Sequence, residues 1–439
     1  RRGYENFRLE APYQHANYYA TYLLVERMWT AEEKLRELDA LTAEDVQRFL
    51  PDLLGRLHVE MLVHGNLQPA QAVELAELAE STLRHAPLSP AELLSHRSLV
   101  LPRGSSHAWQ IDVSNADNVN SSIEYYCQVG DPSDIRQRAT LALLAQIAQE
   151  PCFDQLRTKE QLGYLVFSSV RKSIGSMGFR ILVQSERDAA YVESRIDAFL
   201  DTFKAQLEGM TDAEFAAQRD SLAHKKLEVP KNLYEESSRF WFHIHSGYYD
   251  FLQRDVDVAA LRQLERKDVV AMFNEHIHQS SSTRAKLTVH MRSKVKPVRF
   301  SRAAAEELRA ASAKLNVPTS DEEYAALQAQ QPSVETVKEA TRAALARLET
   351  SPETTQQLLT AIDELAAKHP LQEEEGDVVP ADATAGVTLI EDPVAFKASL
   401  QPSRAAQPVR PWAAYEAEPQ GEERGYGAAA ADARQLAKI

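Results

Sequence analysis

Apolar residues recur every three or four positions over 69–83, 135–148, 191–207, 212–227, 233–246 and 266–276, the period of one helix face, and predict six helices there. Short apolar or alternating runs over 58–64, 98–101, 109–113, 121–129, 164–170, 179–185 and 286–291 are edged by Gly, Asn, Asp or Pro and predict strands. Helix starts are marked where a Ser or Thr precedes an acid by three residues, at Thr30/Glu33, Thr42/Asp45, Ser89/Glu92 and Thr211/Glu214.

The pattern echoes itself once. Leu38, Leu41, Asp45 and Val46 have the internal spacing of Leu261, Leu264, Asp268 and Val269, offset by 223 residues, and each set precedes a predicted strand. Duplication and two similar helix starts explain this equally well. From Ser301 the text becomes Ala- and Glu-rich, with AAAEELRAASAKL and VETVKEATRAALARLE predicting peripheral helices. Glu373, Glu374 and Glu375 introduce a linker, and from Pro411 onward the composition reads as largely disordered.

Length and composition narrow the classes. The 439 residues with 44% hydrophobic content allow two or three domains with sizeable cores. A net charge of −15, with basic residues scattered among carboxylates, argues against a nucleic-acid partner. No run reaches the ~18 apolar residues of a membrane helix, so no membrane partner is expected. Cys127 and Cys152 are too few for a disulfide framework and fit a reducing compartment, which makes the cytoplasm the default expectation.

None of the 13 histidines stands in a His-x-x-Glu-His zinc signature. His58, Glu60 and His64 would share one strand face, whereas His243/His245 and His276/His278 lie in or at the end of helical text, where alternate residues diverge. Polar surface histidines account for them better, so no metal ligand is expected. Cys152 has no base at recognisable spacing and reads as structural. Arg157 and Tyr164 remain, seven residues apart where a short helix breaks at Gly163 and a strand begins. A guanidinium can hold peptide carbonyls and a phenol can donate to an oxyanion. An exposed Arg and a snorkelling aromatic are the plain alternative.

The stretch EPCFDQLRTKEQLGYLVF over 150–167 resembles a signature in the second half of the insulysin branch of the pitrilysin-type zinc metallopeptidases, the insulin-degrading enzyme group. Similar text runs from about Asn6 to Met291, including NFRLEAPYQHANYY, RLHVEMLVHGN and KKLEVPKNL, and returns at IEDPVAFKASLQPSRAAQP. The resemblance implies an α+β fold of antiparallel-rich sheets covered by helices, in repeated domains. On that basis residues 1–97 are the end of a third domain, 98–296 a complete fourth, 297–386 a helical insertion, and 387–439 a C-terminal segment with a disordered tail. It implies that Arg157 and Tyr164 act at the catalytic centre, with Phe153 as a wall of the same substrate cleft. It further implies peptide substrates in a closed chamber, and zinc supplied by a partner N-terminal half. Homo-oligomer formation stays open, as does a non-catalytic structural subunit of the same superfamily.

Overall fold

The computed structural model describes residues 1–295, 298–315, 317–318, 320–348, 350–371, 379 and 386–409. The expected acidic linker and the tail from Pro411 lie outside them. In chain order the elements are α1 (Arg2–Phe7), α2 (Pro12–Leu24), α3 (Ala31–Leu38), α4 (Ala43–Gly55), β1 (Arg56–Leu57), α5 (Pro69–Leu83), β2 (Ala86–Pro87), β3 (Leu99–Val100), β4 (Ser106–Asp112), β5 (Ser121–Gly130), α6 (Ile135–Phe153), β6 (Leu165–Ser173) and β7 (Ser176–Ser185). Then follow α7 (Ala189–Gly209), α8 (Asp212–Leu227), α9 (Leu233–His245), α10 (Gln253–Leu261), α11 (Arg266–His276), β8 (Ala285–Arg292), α12 (Arg302–Lys314), α13 (Asp321–Gln330), α14 (Val334–Arg347), α15 (Pro352–Lys368), β9 (Thr388–Leu389), α16 (Pro393–Ser399) and β10 (Gln401–Pro402).

Six strands form one sheet in the order β6-β7-β5-β8-β4-β9. The pairs from β6 through β8 are antiparallel, and β4 runs parallel to both β8 and β9. Both faces are covered, which is why β5 and β8 are buried almost throughout. Side chains alternate across the pleat. Leu287, Val289 and Met291 of β8 therefore pack with Leu23, Leu24 and Tyr22 of α2 on one face. On the other, Ile123, Tyr125 and Cys127 of β5 pack with α6, α7 and α11. Residues of β8 that point this way are polar and find partners: Glu193 of α7 accepts from Lys286 Nζ at 2.5 Å and pairs with His290 Nε2 at 2.6 Å. The α+β expectation holds.

The helices over 212–227, 266–276 and 69–83 form with the expected bounds. The strand expected over 58–64 does not: only Arg56 and Leu57 pair, with Ala86 and Pro87, and 58–64 has no regular structure. A strand needs a ladder for its amide and carbonyl groups, and no strand among the described residues lies beside this one. Val59 and Met61 are consequently exposed, as is the apolar side of α4 and α5. Beyond the sheet, α12 to α15 build their own apolar centre around Phe300, Leu308, Leu345 and Ile362. The segment from β9 to β10 returns to the sheet, where β10 pairs with β3 and Ser403 Oγ accepts from Ser98 N at 3.1 Å.

Candidate functional site

α6 starts under a cap from Asp134, whose side chain accepts from Gln137 N at 2.9 Å, and runs 19 residues to Phe153. Its last turn is widened into a π-helical segment, Asp154–Lys159, in which Glu160 N reaches back to Gln155 O at 2.9 Å. Such single wide turns recur at functional sites because they re-aim one side chain. Here the wide turn carries Arg157. Buried Cys152 and Leu156 anchor its inner side, so Phe153 and Arg157 face outward.

The chain then turns sharply into β6. Leu162 is buried and its amide bonds Leu156 O at 3.0 Å. Gly163 passes against β7 so closely that a Cβ would lie 1.8 Å from Gln184 O. No other residue fits there without moving the strand. Tyr164 emerges at once on the surface, 87% exposed.

These constraints bring the three expected residues together. Arg157 Nε donates to Tyr164 O at 3.1 Å, and the guanidinium carbon lies 5.1 Å from the Phe153 ring centre and 5.7 Å from that of Tyr164. Among the described residues, neither the remaining Arg157 donors nor the Tyr164 hydroxyl has an intramolecular partner. Arg157 is thus held by backbone and rings while its outer donors stay available, an arrangement suited to carbonyl oxygens of an extended peptide.

Sequence reasoning missed the brace beneath. Glu160 receives Arg195 Nε at 2.7 Å, Arg195 NH2 at 2.9 Å and Gln155 Nε2 at 2.8 Å, tying the loop to α7. The hydrogen bond to Glu160 raises the Arg195 pKa. Ser185 Oγ also donates to Leu162 O. Gly163 was the one readable signal, since a Gly between a helix and a strand marks close approach.

Metal and thiol chemistry find little footing. Among the described residues no three His, Cys, Asp or Glu side chains are placed to hold a metal ion. His58 Nε2 and Glu60 Oε1 are 3.8 Å apart and exposed, and His64 Nδ1 pairs with Ser237 Oγ at 2.7 Å. The donor set therefore does not fit zinc. Burial pushes the Cys152 thiol up to about 12 and the Cys127 thiol up to about 11, so neither supplies a thiolate near neutrality.

A family model described as PQQ synthase PqqF-like, C-terminal lobe domain 4, matches residues 143–241. Human insulin-degrading enzyme is 38% identical over 294 residues, covering 66% of this chain and 29% of that protein. The Drosophila melanogaster insulin-degrading enzyme is 36% identical over 295 residues, 66% of this chain and 30% of its own length. The chain belongs to the pitrilysin-type peptidase family. It corresponds to part of the C-terminal half of those peptidases and spans about 29% of the length of the curated relatives it matches. A Schizosaccharomyces pombe relative whose name includes zinc protease is 35% identical over 283 residues, 64% of this chain and 29% of that one. The crystal structure of pitrilysin shares the fold, with a TM-score of 0.58 at 24% identity over 66% of this chain and 30% of that one.

Proposed function

We propose that this chain is the substrate-holding side of a pitrilysin-type zinc endopeptidase site, acting on peptides in a closed chamber. The observation that carries the reading is the Phe153–Arg157–Tyr164 cluster, exposed, rigidly braced and with unused donors. Arg157 holds backbone carbonyl oxygens of the peptide. Tyr164 donates its hydroxyl proton in a hydrogen bond to the scissile carbonyl oxygen as that oxygen gains negative charge. Phe153 closes one side of the cleft and keeps water from the Arg157 donors. Zinc and the base that activates water belong to an N-terminal half that meets this face.

Hydrolysis of a fluorogenic peptide tests the reading, with zinc present, for this chain alone and mixed with a half carrying the His-x-x-Glu-His signature. Activity only in the mixture, lowered about 100-fold or more by Tyr164→Phe, is the expected result. Activity in this chain alone overturns the division of labour. A stable mixture without activity favours a non-catalytic structural subunit.

A further inference from the structure

The helices after residue 300 leave a hollow between them that opens to the surface. The methyl groups of Ala305, Ala340 and Ala344 on α12 and α14 are too small to fill the space between these helices and α15, and a cavity of about 290 Å³ remains, walled by Leu308, Val337 and Leu358. One lining residue comes from elsewhere in the chain. Gln161, in the loop between Arg157 and Tyr164, lines the same space. That residue sits at φ 48°, a left-handed conformation costly for a side chain with a Cβ. The helical layer is fastened beside this loop by Arg299 NH2, which donates to Glu186 O at 3.1 Å just beyond β7.

The lining specifies the occupant. It is mainly apolar, and the cation at its edge is already neutralised, since Arg309 pairs with Asp321 and lies 4.6 Å from the Tyr324 ring centre. An anionic headgroup would find no free charge there, so an uncharged apolar group fits best. A dry cavity of about 150 Å³ already holds benzene, so 290 Å³ admits one Leu- or Phe-sized side chain. Distance also agrees: three residues of chain span at most about 11 Å, so the Gln161 wall lies within three extended residues of Tyr164.

We propose that this cavity is an apolar subsite of the cleft. It takes one large apolar side chain of a peptide, about three residues from the residue held by Arg157 and Tyr164. The proposal rests on the peptide-binding reading above and adds a sequence preference to it.

The test is binding, read by fluorescence polarisation on the full chain without catalysis. The probes are fluorescein-labelled Gly-Ser peptides of about a dozen residues carrying a single Leu walked through every position, with Ala at the same positions as reference. One register should bind about tenfold tighter with Leu than with Ala. Ala340→Phe, which fills the cavity, should erase that preference and leave binding of the Ala peptides unchanged. Ala344→Phe is the second filling variant, and circular dichroism checks that each is folded. A Leu preference that survives both fillings, or no preference at any register while Arg157→Ala still weakens binding, overturns the subsite and leaves the proposed function standing. Peptide binding that is absent, or indifferent to both Arg157→Ala and Tyr164→Phe, overturns the proposed function and the subsite with it.

Discussion

α4 and α11 open with the same lock, Asp45 accepting from Thr42 N at 2.9 Å and Asp268 from Glu265 N at 2.9 Å. One turn on they part: Val46 is 54% exposed and Val269 0%, and Leu41 and Leu264 differ in the same way, at 58% and 1%. α11 lies against α6, α7 and β5, whereas α4 meets little beyond β1. Caps and periodicity act within one helix and so form in both places. Burial has to come from another element, and an amphipathic pattern states a demand for a partner without showing that the partner is there.

Truncation measures that difference most strongly. Phe273→Ala in α11 should cost about 3–5 kcal/mol in a denaturant titration, because the ring is buried edge-on against Phe203. Phe49→Ala in α4, an exposed ring, should change stability by less than about 0.5 kcal/mol. Equal costs would mean that α4 is packed after all. Hydrogen exchange gives the next contrast, with opening free energies approaching the global value for α11 amides and near zero for α4.

Acid separates the regions more finely. Burial alone would raise the Glu193 pKa, but hydrogen bonds and charge from His290 and Lys286 outweigh it and hold the carboxylate at about 2. Because the folded value lies below the unfolded one, this stability is complete above about pH 4.5 and is lost as the pH falls toward 2. Glu193→Gln should flatten that slope with or without salt. Glu92 is also held at about 2, by Arg56 and Ser89, but on the open surface. Its contribution to the acid slope should shrink in about 0.5 M salt, which screens the Arg56 charge and leaves the Ser89 hydrogen bonds. The smallest signal is thiol labelling at pH 8: Cys127 and Cys152 should stay unreactive in the native chain and react only on unfolding. Both belong to the core between the sheet and α6, α7 and α11, so looseness around α4 alone should leave labelling silent.

Sequence legibility followed the same division. Helices 212–227 and 266–276 and the buried strands were readable because local pattern and tertiary burial agree. Over 58–64 the alternation was equally good, yet the pairing it implied has no partner strand among the described residues. α2 escaped notice because Ala11 offers no side-chain cap, although Pro12 at its first turn was a usable mark. That Arg157, Tyr164 and Phe153 lie together was legible through one short motif. The Glu160–Arg195 brace and the Gln161 wall were not, since each joins residues that only the folded chain brings together.

The return of β9 to β4 bears on how the protein is made. β9 begins 96 residues after β8 ends. At a synthesis rate of about 5–20 residues per second, the outer edge of β4 waits about 5–20 s on the ribosome before its own chain can close it. During that interval the nascent sheet presents an open row of amides and carbonyls to any other strand nearby. Yield during expression should therefore depend on translation speed over the codons for residues 293–387, even though no described residue there belongs to a strand of this sheet.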